Sequence, residues 1–287
     1  MSIESQNRAI LLACCPDQKG LVAKLSQFIY EHQGNIVDSD QHTDHEAGVF
    51  ATRIEWELDG FGIAADAIHS RLAPLAASLQ LQWTLHLRPK ETPIAVFVSR
   101  QDHCLIDLLA RQRSGDFGGR IALIVSNHRE LAPIAAQFGV PFFYFPISAE
   151  IKAQQERDTL KLLKEHRIEL VVLAKYMQVL SQDFLTALPP VINIHHSFLP
   201  AFPGASPYQR AFARGVKLIG ATAHYVTQDL DEGPIIEQDV SRVSHRDAVA
   251  DMIRRGKDLE KIVLARAVYL HLQSRVLVYH NKTIVFD

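Results

Sequence analysis

The hydrophobic pattern of this chain changes once, across the short polar segment at residues 89–93, which holds two prolines. Before this segment, apolar and polar residues alternate as in antiparallel strands that expose one face. After it, short continuous apolar runs alternate with helical patterns, which predicts a doubly wound, mostly parallel α/β sheet. We therefore expect two α/β domains, at residues 1–88 and 94–287, joined by a linker at 89–93.

The first domain shows the order strand, helix, strand, strand, helix, strand. Leu21, Leu25 and Phe28 recur at helical spacing after a turn at residues 16–20. Phe50 and Trp56 fall on one face of a later strand, whose other face is charged. This order predicts a ferredoxin-like βαββαβ domain, with both helices on one face of an antiparallel sheet.

Composition places the chain among ordinary globular proteins and excludes several classes. Of 287 residues, 47% are hydrophobic and 22% charged, and the formal net charge of −2 argues against a nucleic-acid-binding surface. No apolar run reaches the roughly eighteen residues of a membrane span, the N-terminus lacks a basic signal-peptide start, and the three cysteines are unpaired in spacing. We expect a cytoplasmic protein with no membrane or nucleic-acid partner.

The fourteen histidines raise the question of a metal site. The closest pairs, His42/His45 and His195/His196, do not sit in any of the usual zinc-ligand patterns. The sequence therefore predicts no metal.

The richest chemistry lies in the run from Asn193 to Pro200 and the residues that follow it. Asn193 and His195 end a short apolar strand and point to the same face, at the edge where open α/β sheets bind ligands. An asparagine amide can donate to a developing oxyanion, and a histidine beside it can act as acid or electrostatic stabiliser. Asp231 would be the third member, either raising the histidine pKa or accepting a proton from water, and His224 would support it from a neighbouring strand or simply be a buried, hydrogen-bonded histidine.

The first domain resembles the ACT domain, a small amino-acid-binding regulatory module, in residues 15–23 and 34–36. The resemblance implies an effector site at the turn before the first helix, with Asp17 and Gly20 as the local candidates, and pairing of such domains into at least a homodimer. Turn chemistry alone offers another interpretation, in which Gly20 permits the turn and Asp17 caps the helix. The alternating segment 276–286 predicts a hairpin, which could belong to a subunit interface.

The second domain resembles the formyltransferase-fold family of enzymes that use 10-formyltetrahydrofolate, through Asn193-x-His195, Ser197-x-Leu199-Pro200, His224 and 231–236. The resemblance implies that Asn193, His195 and Asp231 form the catalytic triad and that no cofactor is permanently bound. It also implies a folate pocket, for which an ordinary core strand and loop at 173–180 is the alternative. The residues that would line this pocket are Met177, Gln178, Leu180, Val226, Thr227 and Gln228.

The identity of the formyl acceptor depends on the loop at residues 99–104. Members that act on glycinamide ribonucleotide have a glycine-rich phosphate loop there, whereas this chain has no glycine and carries Asp102. Members that act on transfer RNA add a C-terminal domain, and this chain ends at Asp287. The resemblance therefore implies a deformylase, in which water is the acceptor, 10-formyltetrahydrofolate is hydrolysed to tetrahydrofolate and formate, and one-carbon pools for purine biosynthesis are balanced.

Two alternatives remain open at this point. One is a formyltransferase with an unrecognised amine acceptor, of the glycinamide ribonucleotide type, which an anion site near Arg100, Arg113 or Arg210 would favour. The other is a folate or amino-acid sensor that binds its ligand without turnover.

Overall fold

A computed structural model describes residues 7–148, 150–201 and 207–287. It divides into two compact units, one formed by the described residues up to Lys90 together with Gln273–Asp287, the other by Glu91–Leu272. No described helix combines the length and the apolar character needed to cross a membrane.

The first unit is built on a four-stranded antiparallel sheet with the order β2-β3-β1-β4. Its elements are β1 (Arg8–Pro16), α1 (Leu21–Glu31), β2 (Ile36–Asp44), β3 (Val49–Glu57), α2 (Ile68–Ser78) and β4 (Gln82–Arg88). The observed order confirms the ferredoxin-like βαββαβ prediction.

Strand β1 is buried on both faces, which explains its unbroken apolar sequence. Leu11 and its alternate neighbours pack with Trp56 under the two helices. Leu12 and Cys14 point the other way and pack in a second cluster. Because side chains alternate in direction along a strand, β1 contributes to both clusters.

The second unit contains a seven-stranded sheet with helices connecting its strands. Its elements are β5 (Pro93–Val98), α3 (His103–Ser114), β6 (Arg120–Ser126), α4 (Ala132–Gln137), β7 (Phe142–Tyr144), α5 (Lys152–Glu165), β8 (Leu170–Leu173), α6 (Gln182–Ala187), β9 (Val191–His195), α7 (Pro207–Arg214), β10 (Leu218–Tyr225), β11 (Ile235–Arg242) and α8 (Val249–Leu272).

The order of this sheet is β11-β10-β9-β8-β5-β6-β7. The five strands from β9 to β7 are parallel, whereas β10 and β11 add two antiparallel pairings at one edge. All four residues of β8 and five of the six in β5 are buried, as expected for strands covered on both faces. The mostly parallel doubly wound sheet is confirmed.

The C-terminal hairpin corrects the expected domain boundary. Strands β12 (Val276–Tyr279) and β13 (Lys282–Val285) pair as the sequence predicts, but they belong to the first unit and not to a domain running to residue 287. Leu277 and Phe286 pack on Leu12 and Cys14, and the buried Arg53 donates to the Ser274 carbonyl at 3.1 Å. The alternating apolar residues of the hairpin thus cover the sheet face that the helices leave open.

Candidate active site

The pairing of β9 with β10 brings three of the predicted site residues to one face. Asn193 lies directly opposite His224 across the antiparallel pair, and His195 lies two residues further along β9. Directly opposed residues and residues two apart share a face of a sheet. The sequence-based expectation that Asn193 and His195 point the same way follows from this register.

Asp231 reaches the same place from the turn after β10. Its Oδ2 lies 3.2 Å from Nδ1 of His195, and its Oδ1 lies 3.8 Å from Nε2 of His224. The hydrogen bond from His195 outweighs burial and holds the pKa of the Asp231 carboxyl below its usual range. Asp231 is therefore a carboxylate at neutral pH, placed to hold the Nδ1–H of His195.

The turn that carries Asp231 is tightly constrained. Asp231 has a left-handed backbone, with a φ of 59°, which aspartate tolerates better than most residues. A Cβ on Gly233 would lie only 1.8 Å from the Tyr225 carbonyl oxygen, so only glycine fits there. The backbone thus requires glycine at position 233, and the chemistry requires the carboxylate at position 231.

His224 fixes the orientation of Asn193. Its Nδ1 lies 2.9 Å from the Tyr225 carbonyl, which can only accept, so Nδ1 carries the proton and Nε2 is the acceptor. The Asn193 amide nitrogen lies 3.2 Å from that Nε2 and donates to it. Burial lowers the pKa of His224, which keeps this arrangement neutral. The two interpretations of His224, as a buried hydrogen-bonded histidine and as a support for the site, are therefore compatible.

His195 has one ring nitrogen with no protein partner. The residue is 5% exposed, and its Nε2 is buried without a hydrogen-bond partner among the residues that the structure describes. Buried polar atoms are normally satisfied, so an orphaned one at a sheet edge points to a ligand or a reacting group. We call Asn193, His195, His224 and Asp231 the His195 cluster.

The predicted folate-pocket residues lie on two loops beside this cluster. Leu180 and Val226 both pack on the apolar core that contains Tyr176 and Val191, so the two loops share a base. Met177 is 60% exposed, and its backbone N–H donates to the Ser99 hydroxyl at 3.2 Å. Gln178 is half-buried, whereas Thr227 and Gln228 are exposed. Leu180 and Val226 thus pack on the same part of the core, whereas Thr227 and Gln228 lie at the surface.

The candidate effector residues lie in the first unit. Gly20 is the N-cap of α1, with a φ of 89°, and no side-chain cap bond is made there. The interpretation of Asp17 as a helix cap is therefore wrong, whereas the need for glycine in the turn holds. Asp17 is exposed, and its backbone N–H donates to the Gly48 carbonyl at 2.8 Å.

A second polar cluster, which the sequence analysis missed, lies next to the His195 cluster. Glu260 of α8 accepts from His103 at 2.8 Å and from Tyr208 at 2.9 Å, and the Lys175 ammonium lies 3.3 Å away. We call Glu260, Lys175, His103 and Tyr208 the Glu260 cluster. Its members come from four separate segments, so no local spacing in the sequence marks them.

The Glu260 cluster also contains the group of side chains most suited to a metal in the described part of the chain. The ligand atoms of His103, Cys104 and Glu260 lie within 4.8 Å of one another. However, Lys175 already supplies a positive charge to Glu260, and burial raises the pKa of the Cys104 thiol, which opposes the thiolate that a metal needs. The absence of a metal stays a prediction.

Comparisons with known proteins agree with both halves of this description. The family model for the ACT domain matches residues 9–68, and the model described as formyl transferase matches residues 92–268. A formyltetrahydrofolate deformylase of Synechocystis sp. is 58% identical over 278 residues, which is 97% of this chain and 98% of that protein. One from Bacillus subtilis is 46% identical, over 99% of this chain and 95% of that protein.

A solved structure extends this likeness to three dimensions. The crystal structure of a formyltetrahydrofolate deformylase from Pseudomonas syringae pv. tomato superposes with a TM-score of 0.95 at 42% identity, covering all of this chain and 96% of that one. Likeness at this level over the full length shows the family as well as the fold. The chain belongs to the formyltetrahydrofolate deformylase family.

Proposed function

We propose that this chain hydrolyses 10-formyltetrahydrofolate to tetrahydrofolate and formate, with water as co-substrate and no bound cofactor. The observation that carries the proposal is the buried, unpartnered Nε2 of His195 beside the Asn193 amide. The family relationship supplies the substrate. In the cell, this reaction would balance one-carbon pools that feed purine biosynthesis.

In the proposed mechanism, His195 moves the proton. With Nδ1–H held by Asp231, the neutral ring presents its Nε2 lone pair, which can accept a proton as water attacks the formyl carbon. As the C–N10 bond breaks, the imidazolium gives that proton to N10, so that nitrogen leaves as a neutral amine. Asp231 is a weak base for direct proton abstraction because its pKa is lowered, so its role is to orient His195 and stabilise the cation.

Asn193 would stabilise the tetrahedral oxyanion. Its amide carries two N–H donors, of which the bond to His224 uses one. The second is left for the formyl oxygen as negative charge develops on it. One such donor is worth roughly 3–4 kcal/mol of barrier in other enzymes.

The folate would lie on the loops that carry Met177, Gln178 and Leu180 on one side and Val226, Thr227 and Gln228 on the other. Met177, Val179 and Leu230 are each more than half exposed, on the loops that follow β8 and β10. Exposed apolar side chains next to a polar reaction centre are typical of a site that binds a flat, partly apolar ligand.

A transferase with an amine acceptor is less well supported. Arg100 forms an exposed pair with Glu130 at 3.4 Å, and Arg113 lies over the Phe138 ring at 5.0 Å, so neither builds an anion site. A sensor without turnover is less well supported because Asp231 holds the Nδ1 side of His195 and leaves its Nε2 unpaired, an arrangement suited to proton transfer that binding alone does not need.

The proposal extends to regulation and assembly. The turn containing Asp17 and Gly20 would bind a small amino acid, and the chain would form a homo-oligomer of at least two copies in the cytoplasm. Formate release titrated with each amino acid, together with light scattering, tests these two points. An effector is expected to change the rate in wild type but not in Asp17→Asn.

The decisive experiment is incubation of the purified protein with 10-formyltetrahydrofolate and no other acceptor. Formate and tetrahydrofolate should appear in equal amounts. Asp231→Asn should abolish this turnover, whereas Asp158→Asn, the same change on an exposed part of α5, should not. Tight folate binding by wild type without formate release would overturn the proposal.

A further inference from the structure

The second unit has a crevice where ligands of such sheets usually bind. Its parallel strands run outward in both directions from β5 and β8, which are adjacent in the sheet but far apart in the chain. In open α/β sheets the ligand crevice lies beyond the carboxyl ends of the two strands at this reversal. Ser99 and the start of α3 follow β5, and Lys175 follows β8, so these residues lie at that point.

The Glu260 cluster occupies this crevice. The side chains of Lys175 and Glu260 are 4% and 2% exposed, and that of His103 is 9% exposed. Both carboxylate oxygens of Glu260 are bonded, Oε1 by Tyr208 and Oε2 by His103. An internal anion and an internal cation thus lie where a second substrate of an α/β enzyme would be expected.

The charges of Glu260 and Lys175 compensate each other. Burial alone would raise the pKa of Glu260, but the hydrogen bond from His103 and the charge of Lys175 lower it to about 2. A buried ion pair seldom stabilises a fold more than apolar side chains of the same volume would. Stability therefore does not explain why these charges are buried here.

The cluster is in contact with the reaction centre through one side chain. Lys175 Nζ lies 3.1 Å from Nδ1 of His196, and the His196 ring stacks on His195 with centroids 4.9 Å apart and planes at 14°. Gly256 of α8 makes room for Tyr208, whose hydroxyl would lie 1.9 Å from a Cβ at that position. The backbone of α8 is thus adapted to bring Tyr208 to Glu260.

We propose that Lys175 and Glu260 are specificity-determining residues, which fill the crevice beside His195 so that no organic acceptor reaches the formyl carbon and water alone does. This inference rests on the proposed hydrolytic function. It assigns the choice of acceptor to two residues that do not touch the reacting atoms in the mechanism above.

The inference is tested by emptying the crevice and offering a small amine. In Lys175→Ala/Glu260→Ala, the removed side-chain atoms outnumber the non-hydrogen atoms of glycinamide. At pH 8 about half of this amine is unprotonated, given an α-amino pKa near 7.7–8.0. Its nitrogen would attack the formyl carbon, the C–N10 bond would break, the amine proton would pass to N10, and N-formylglycinamide and tetrahydrofolate would form.

The matched control is Lys175→Met/Glu260→Gln, which removes both charges and keeps the volume. We expect the alanine pair to form N-formylglycinamide, at a ratio to formate about tenfold or more above the detection limit. Wild type and the methionine–glutamine pair should yield formate alone. A folded alanine pair that yields only formate would overturn the inference, and so would equal amine transfer by both pairs.

A measurement on wild type covers the case in which the alanine pair does not fold. Glycinamide should leave wild-type formate release unchanged at every concentration, because it cannot enter the crevice. Competitive inhibition by glycinamide would show an open crevice and contradict the inference. Failure of wild type to release any formate would instead contradict the proposed function, so the two failures are distinguishable.

Discussion

Two polar clusters lie side by side in the second unit, joined by the stacked rings of His195 and His196, and they differ in what their buried carboxylate is paired with. In the Glu260 cluster, each carboxylate oxygen has a donor and Lys175 lies against both Glu260 and His196. In the His195 cluster, the Asp231 carboxylate lies against the rings of His195 and His224. Each cluster has one buried ring nitrogen with no partner among the described residues, Nδ1 of His103 and Nε2 of His195.

This difference separates the expected role of the Glu260 cluster, in stability and acceptor choice, from that of the His195 cluster, in the reaction. A buried carboxylate paired with a lysine depends on that cation for its stability, whereas a neutral histidine held by a carboxylate can take up a proton. We therefore expect substitutions in the Glu260 cluster to change stability and acceptor choice. Substitutions in the His195 cluster should change turnover with little effect on stability.

The largest effect should come from removing one charge of the Glu260 cluster. Lys175→Met leaves the Glu260 carboxylate buried without its cation, which costs about 3–5 kcal/mol of the free energy of unfolding. Lys175→Met/Glu260→Gln should recover most of this loss, because no charge is then buried. Urea unfolding of both variants measures the difference, and equal losses would mean that the ion pair is not the cause.

The next largest effect should be a loss of turnover on substitution in the His195 cluster. Asn193→Ala removes the oxyanion donor, so kcat should fall about 10²–10³-fold while the Kd for tetrahydrofolate stays nearly unchanged. Asn7→Ala, at an exposed position of the first unit, is the control. Parallel loss of binding and turnover would argue against the oxyanion role.

A smaller effect is expected at His224, which positions Asn193 without touching substrate. His224→Leu removes the acceptor for the Asn193 amide and should lower kcat about tenfold with little change in KM. His224→Gln retains an acceptor oxygen on a chain of similar length and should restore part of that loss. No difference between the two variants would place the role of His224 in packing alone.

The smallest effect is a dependence of stability on pH, and it compares one histidine in each unit. Burial and nearby cations lower the pKa of His196 in the second unit and of His86 in the first unit to about 4. Unfolded histidine titrates near 6.5, so between about pH 4 and 6.5 the unfolded chain binds more protons and stability falls as pH falls.

Unfolding free energies at pH 5.5 and 7 measure this slope. His196→Asn and His86→Asn should each remove about 1 kcal/mol of the difference between the two pH values. The variant with both changes should lose roughly the sum, since the residues lie in different units. An unchanged slope in either single variant would show that its histidine is not held neutral by the fold.

The sequence predicted those features that depend on local pattern. Continuous apolar runs such as β8 mark strands covered on both faces, and the alternation in 276–286 marks a hairpin. Asn193 and His195 share a face because they lie two apart on one strand. Asp231 and His224 were predicted from their residue types and their order after Asn193, and the family resemblance implies the same residues. The structure places both within 4 Å of the other site residues.

Only the tertiary structure decided features that join distant segments. The C-terminal hairpin packs in the first unit because the outer face of β1 is apolar and needs a cover, which alternation within the hairpin cannot reveal. Lys175 and Glu260 are 85 positions apart in the chain (260 − 175), and each by itself resembles an ordinary charged residue. Only the order of the sheet and the packing of α8 bring them together. Each charge can be buried because the fold places the opposite charge beside it.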